Sequence, residues 1–176
     1  MLRSASSPLA WLMAPSRKTI TVGVADMVAL NDAQADLVTH SLGSCLGVTA
    51  YDPQAKVGGL LRVMLPDSKI DPAKAVSKPC MFVDTGLPRL FQAVDGLGGD
   101  KSRLIIKVAG GAQFPEEHMI FSIGSHNVTS LLTSLTRHRV TPHALVVRGQ
   151  TSRTLRLRLS DGQVTVQSPG QKAFVI

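Results

Sequence analysis

The spacing of apolar residues along this chain predicts short strands interrupted by two helices. Short alternating or continuous apolar runs, which are typical of strands, cover residues 18–24, 36–40, 46–51, 57–64, 104–108, 144–147, 153–159 and 163–167. Apolar residues three or four positions apart, which indicate one face of a helix, are Val83, Leu87, Leu90, Phe91 and Val94, and then Val128, Leu131, Leu132 and Leu135.

Turn-forming residues divide these segments. Asp52 and Pro53 separate two neighbouring strands, 46–51 and 57–64, so we expect an antiparallel hairpin that brings the start of the first beside the end of the second. Glycines 96, 98 and 99 end the first helix, and Ser125 or Asn127 is the expected cap of the second. The polar, proline-bearing stretch 67–79 is predicted as a surface loop.

About eight strands and two main helices predict an α+β fold, a single layered domain of largely antiparallel strands. We place this domain at residues 18–176 and a flexible N-terminal tail at residues 1–17. In the tail, Arg3 precedes a short apolar patch, which leaves a signal peptide or a wrongly assigned start as open alternatives. No apolar run approaches the roughly 20 residues that cross a bilayer, so membrane insertion is not expected.

The composition narrows the class of protein. A chain of 176 residues that is 44% hydrophobic and 18% charged is typical of one globular domain. Two cysteines provide neither a disulfide framework nor a zinc site, which predicts a reduced cytoplasmic protein. We expect no metal and no cofactor.

The net charge of +7 comes mainly from arginines after residue 136, where Asp161 is the only acid. Such a surface favours an acidic partner. That region contains no Tyr or Trp for base stacking, so nucleic acid is not the favoured partner. Arg156 and Arg158 alternate with leucines, which predicts a strand with leucines inward and arginines solvated.

The candidate nucleophile is Cys45, which follows Gly43 and Ser44 between two predicted strands. A thiol at the end of a strand, beside small residues, is well presented for attack on a carbonyl carbon. The backbone N–H groups of Ser44 and Cys45 are then candidate donors to an oxyanion. A small buried hydrophobic role for Cys45 stays open, and Cys80 is predicted to be structural.

A second candidate is Thr39, six residues before Cys45, whose hydroxyl could contact the substrate or a base; an ordinary strand threonine is the alternative. The neighbouring His40 should face the opposite way, because side chains alternate along a strand. The spacing of the other histidines pairs none of them with Cys45. They are His118, His126, His138 and His143.

Several short motifs occur in a specific order. They lie at residues 42–45, 51–53, 58–59, 64–66, 83–85, 110–112 and 123–128, with a weaker match at 149–153 and at Gly162. In this order they resemble the CheD family of chemoreceptor glutamine deamidases. The resemblance covers residues 19–167, which is nearly the whole predicted domain.

The resemblance implies a protein that converts glutamine side chains of methyl-accepting chemoreceptors to glutamate, and that can also bind a CheC-type phosphatase. The family's catalytic cysteine and threonine match Cys45 and Thr39, but its histidine position holds Arg62. The family's arginine before Asn127 is His126, and the second glycine of its late pair is Arg148. The acidic residue that precedes this pair is absent, with Val146 in its place.

The substitution at Arg62 affects one step of amide hydrolysis more than the others. A nearby cation favours the thiolate of Cys45, but a guanidinium stays protonated and cannot deliver a proton to the leaving nitrogen. The loss of general acid–base help typically costs about 10²–10⁴ in rate. Two alternatives remain open: an impaired deamidase in which His126 or water substitutes, and a catalytically dead regulator that binds receptors or a CheC-type phosphatase.

Overall fold

A computed structural model describes residues 17–114 and 122–176. The predicted N-terminal tail and its signal-peptide alternative lie outside these residues, except for Arg17. Within them the chain forms ten strands and three α-helices. The strands are β1 (Lys18–Thr21), β2 (Asp26–Leu30), β3 (Ala35–Leu42), β4 (Leu46–Asp52), β5 (Val57–Val63), β6 (Ile105–Gly110), β7 (Ala144–Val147), β8 (Arg153–Arg158), β9 (Val164–Gln167) and β10 (Phe174–Val175). The helices are α1 (Pro72–Ser77), α2 (Val83–Gly96) and α3 (Ile123–Arg137).

The strands form two five-stranded sheets. Their orders are β1-β3-β8-β9-β10 and β2-β5-β4-β6-β7. Only β1 with β3 and β6 with β7 pair in parallel among these strands. The α+β class and the largely antiparallel pairing are therefore confirmed. The predicted hairpin is also confirmed, because β4 and β5 pair from Leu46 with Val63 to Asp52 with Val57.

Alternate residues of the second sheet face two different cores. Leu60 packs with Leu37 and Leu155 of the first sheet, whereas the adjacent Leu61 packs with helical residues such as Leu87 and Leu131. All six side chains are buried. The domain thus has three layers, sheet on sheet on helices, because adjacent side chains of a strand point to opposite faces.

The structure corrects the segment after β5. Residues 67–79 were expected to be a loop, but α1 lies there, flanked by two short 3₁₀ turns. Pro72 begins α1, where the missing N–H costs nothing, and the Asp71 carboxylate caps it by accepting the Lys74 N–H. The surface position is correct, since Val76 is 85% exposed.

The predicted start of α3 is also wrong. The helix begins at Ile123, with Ser122 at the N-cap position, so Ser125 and Asn127 lie inside it. Strands β2 and β10 were not predicted. Both strands are short and partly exposed, and their sequences show little alternation of apolar and polar residues. They are strands because β2 pairs with β5 and β10 pairs with β9.

The leucines of β8 point inward as predicted, but its arginines form ion pairs with acids of the same domain. Leu155 and Leu157 are fully buried. Arg156 lies 3.2 Å from the Asp36 carboxylate, and Arg158 lies 2.6 Å from that of Asp161. Part of the positive charge carried by the arginines after residue 136 is therefore neutralised within the domain.

A buried carboxylate holds the turn end of the β4–β5 hairpin. Asp52 accepts the N–H groups of Gln54 and Asp100 at 2.9 and 2.8 Å, and the Arg103 guanidinium lies 2.6 Å away. The hydrogen bond from Arg103, together with those from backbone N–H groups, holds the pKa of Asp52 far below its ordinary value. This end of the hairpin is a fully satisfied structural cluster.

Candidate active site

Cys45 lies in the three-residue connection between β3 and β4, at the end of the hairpin opposite Asp52. The side chain is partly exposed and packs at the margin of the core between the sheets. The carbonyls of Gly43 and Cys45 accept the N–H groups of Ala112 and Gly111, both at 2.9 Å. The segment after β6 therefore fixes the connection that carries the thiol.

Gly110 allows this close contact. Its φ is +115°, and a Cβ there would lie 2.2 Å from the carbonyl oxygen of Cys45. Any other residue would push the Cys45 connection away. Gly110, the last residue of β6, is therefore required by the geometry of the candidate site.

Thr39 is fully buried on β3, and its side chain faces the second sheet across Gly47. A Cβ at Gly47 would lie 3.3 Å from the Thr39 methyl group and 2.9 Å from Leu42. The prediction that His40 faces the other way is confirmed, since His40 is exposed. An irregularity in the pairing with β8 lies between Thr39 and Leu42, where Ser41 has a φ of +54°.

The structure brings Arg62 and Thr39 together. Arg62 lies on β5 directly opposite Gly47, whose missing side chain lets Leu42 and Thr39 of β3 approach β4 closely. Its Nη1 donates to the Thr39 hydroxyl at 3.3 Å and to the His40 carbonyl at 2.6 Å, and its Nη2 donates to the Ser41 carbonyl at 3.3 Å. Its Nε is buried and donates to no acceptor in the described parts of the chain. The guanidinium thus binds the end of β3 that leads to Cys45.

The sequence reasoning did not assign a site role to Asn127. This residue is fully buried on α3, and its Nδ2 donates to the carbonyls of Ser44 at 2.9 Å and Met64 at 3.0 Å. A signal was present in the sequence. Asn127 lies on the same helical stripe as Val128 and Leu131, and a polar residue on an apolar stripe is usually hydrogen-bonded in the core.

His126, the predicted alternative to the missing histidine, makes no hydrogen bond to the site within the described residues. The side chains of His40, His126, His138 and His143 make no hydrogen bond to Cys45, Thr39 or Arg62 among the residues that the structure describes. His126 is exposed on α3.

Two of these histidines have roles elsewhere. His138 packs edge-on against the Phe91 ring with centroids 5.4 Å apart, and burial lowers its pKa. The His143 Nδ1 accepts the Ile106 N–H. His118 lies outside the described residues.

Cys80 differs from Cys45 in its surroundings. It packs against the core between the second sheet and the helices, and burial raises the pKa of its thiol. A raised pKa means less thiolate at neutral pH, so Cys80 is a poor nucleophile.

The backbone beside Cys45 retains unused donors. The N–H groups of Ser44 and Cys45 donate to no acceptor within residues 17–114 and 122–176. Two adjacent N–H groups beside a partly exposed thiol are the arrangement that stabilises a tetrahedral oxyanion.

The chain is similar to known proteins over most of its length. The family described as CheD chemotactic sensory transduction matches residues 64–168. The probable chemoreceptor glutamine deamidase CheD of Solibacter usitatus is 41% identical over 157 residues, which is 89% of this chain and 93% of the relative. The chain belongs to the CheD family. The probable chemoreceptor glutamine deamidase CheD 2 of Anaeromyxobacter dehalogenans is 42% identical over 154 residues, 88% of this chain and 97% of the relative.

Membership of the CheD family confirms the resemblance seen in the sequence motifs. The residues matched by the family description begin at Met64, after Thr39, Cys45 and Arg62. The roles of these three residues therefore stay predictions. Among the described helices, none is long and apolar enough to span a membrane.

Proposed function

We propose that this protein hydrolyses glutamine side-chain amides of chemoreceptors to glutamate, with release of ammonia, and that the reaction is slow. The observation that carries the proposal is the partly exposed Cys45 thiol beside two unused backbone N–H donors. Relatives of about 40% identity that are named as probable chemoreceptor glutamine deamidases supply the substrate class.

The proposed reaction has two stages. The Cys45 sulfur attacks the amide carbon, and the N–H groups of Ser44 and Cys45 hold the oxyanion that forms. The C–N bond then breaks, and ammonia leaves with the proton that the thiol supplied. Water next attacks the thioester, which gives the glutamate side chain and restores the thiol.

Arg62 makes the proton transfer difficult. Its guanidinium is held by the Thr39 hydroxyl and two carbonyls, and it cannot release a proton near neutral pH. Water or His126 must then carry the proton to the leaving nitrogen. We expect a rate about 10²–10⁴ lower than with a positioned general acid–base group.

The contact between Arg62 and Thr39 supports a positional role for the arginine. By binding the end of β3, Arg62 fixes the direction in which the chain enters the Cys45 connection. Thr39 is fully buried and accepts from Arg62, so its proposed part in the reaction is to hold Arg62 and the end of β3 in place. We further propose a CheC-type phosphatase as a second partner and a cytoplasmic location.

The test uses the full chain with a purified cytoplasmic fragment of a chemoreceptor. We expect slow ammonia release together with the mass change of glutamine to glutamate at selected sites. Cys45→Ala should abolish both signals, and Cys80→Ala, the matched control, should leave them unchanged. Receptor binding without deamidation, in the wild type and in Arg62→His alike, would contradict the proposal and indicate a regulator that has lost catalysis.

A further inference from the structure

The buried amide of Asn127 connects the two segments that form the candidate site. One of its N–H groups binds the carbonyl of Ser44, the residue before Cys45, and the other binds the carbonyl of Met64, two residues after Arg62. A side-chain NH₂ group has two donors, so both are used. Asn127 therefore sets the distance between the Cys45 connection and the end of β5.

The orientation of this amide is determined by its neighbours. The Oδ1 of Asn127 is buried and accepts no hydrogen bond in the described ranges. If the amide were rotated by half a turn, this oxygen would face two carbonyl oxygens, and two acceptors in contact repel each other. The NH₂ group must therefore face Ser44 and Met64.

This contact also determines where the Cys45 N–H points. A trans peptide is planar, and its C=O and N–H bonds point in opposite directions. The Ser44–Cys45 peptide directs its carbonyl toward α3, so its N–H points away from α3. No described residue accepts that N–H, which leaves it available to a ligand.

We propose that Asn127 is a positioning residue that holds the Ser44–Cys45 peptide so that the Cys45 N–H donates to the substrate oxyanion. This inference rests on the proposed deamidase function. It gives Asn127, which is distant from Cys45 in the sequence, the role of directing the Cys45 N–H. Asn127 does not touch the substrate, and it acts through the peptide that it orients.

A glutamine-containing receptor peptide with a side-chain aldehyde in place of the amide isolates this effect. The Cys45 sulfur adds to the aldehyde carbon, and the thiol proton moves to the aldehyde oxygen, which gives a thiohemiacetal. No group leaves, so the adduct forms without proton delivery to a leaving nitrogen, which is the step that Arg62 makes difficult. The affinity for the aldehyde thus reports the thiol and the oxyanion donors alone.

We expect Asn127→Ala to weaken aldehyde binding by about ten- to a hundredfold, because the loss of an oxyanion donor typically costs about 10²–10³ in rate and the donor here is misdirected instead of removed. The alkylation rate of Cys45 by iodoacetamide should change less than binding does, since the thiol itself is retained. Asn127→Asp should behave similarly, because an ionised carboxylate has no donor.

Ser130→Ala is the matched control. Ser130 lies one turn further along α3, and its hydroxyl donates to the Pro66 carbonyl at 2.6 Å. It therefore ties α3 to the segment after β5 without touching the Cys45 connection. A general effect of helix packing would weaken aldehyde binding in this variant as well, whereas the proposal predicts no change.

A second measurement avoids the question of whether the Asn127 variants fold. In the wild-type chain, aldehyde binding should shift the amide resonance of Cys45 and slow its hydrogen exchange. An adduct on Cys45 that leaves this amide unchanged, or equal losses in Asn127→Ala and Ser130→Ala, would overturn the inference alone. The absence of any adduct on wild-type Cys45 would instead contradict the proposed function, and this inference would fall with it.

Discussion

The two ends of the β4–β5 hairpin each contain an arginine that binds oxygen atoms, but the two clusters differ in charge. At the turn end, Arg103 meets the buried carboxylate of Asp52 at 2.6 Å. At the open end, Arg62 meets a hydroxyl and two carbonyls, and it pairs with no acid among the described residues. The first arginine is held by ion pairs, whereas the second is held by neutral oxygen atoms.

The difference shows how stability and chemistry are separated along one hairpin. Asp52 is buried, and removing its partner would leave an uncompensated charge, so the turn end is a stability element. At the open end Arg62 fixes the backbone of β3 through neutral oxygen atoms, and Asp26 of β2 lies directly opposite it in the register. Glycines at 47 and 110 provide the space that this end requires.

The largest effect should come from Arg62→His. An imidazole can accept and release a proton near neutral pH, so we expect deamidation to rise by about a hundredfold. The same change removes three hydrogen bonds and should lower the free energy of unfolding by about 1–2 kcal/mol. Ammonia release and urea unfolding measure the two effects, and a variant that is both slower and less stable would contradict the proposed role.

At the turn end, Asp52→Asn should lower the stability of the protein without changing the reactivity of Cys45. Loss of the carboxylate removes the buried partner of Arg103 and leaves only the more exposed Asp100, at 3.1 Å, so we expect a decrease of about 2–3 kcal/mol in the free energy of unfolding. The alkylation rate of Cys45 should not change, because the two clusters lie at opposite ends of the hairpin. Slower alkylation in the folded variant would show that the ends are coupled.

Acid should destabilise the protein mainly through the turn end. The pKa of Asp52 is lowered in the folded state, so its stabilising effect is complete above the ordinary value near 4 and is lost as the pH falls below it. We expect the melting temperature to fall as the pH drops below about 4. The fall should be smaller in Asp52→Asn, which has no proton to bind there, and equal slopes would contradict this assignment.

The smallest effect concerns backbone strain at the open end. Arg148 has a φ of +67°, and its N–H donates to the Gly110 carbonyl. Because glycine adopts this conformation without steric cost, Arg148→Gly should raise the free energy of unfolding by about 0.5–1 kcal/mol. Arg89→Gly, on the exposed face of α2, is the matched control and should lower it by about 1 kcal/mol. Two changes of the same sign would contradict the strain argument.

Local periodicity was sufficient for most of the fold. The hairpin of β4 and β5 follows from two apolar runs and the turn between them, and α2 and α3 follow from the spacing of their leucines and valines. Strands β2 and β10 and helix α1 were missed. The strands are stabilised by pairing with distant segments, and the brief apolar signal of α1 faces solvent.

The sequence by itself determined the family and the hairpin, because both depend on neighbouring residues or on short motifs. It also predicted three site residues, Thr39, Cys45 and Arg62, whose roles stay predictions. Only the tertiary structure decided that Arg62 binds carbonyls of β3 and that Asn127 reaches Ser44, which is 83 positions away. Contacts of this kind depend on how sheets and helices pack. A buried polar group must find a partner wherever packing places one, and no local pattern encodes which partner that is.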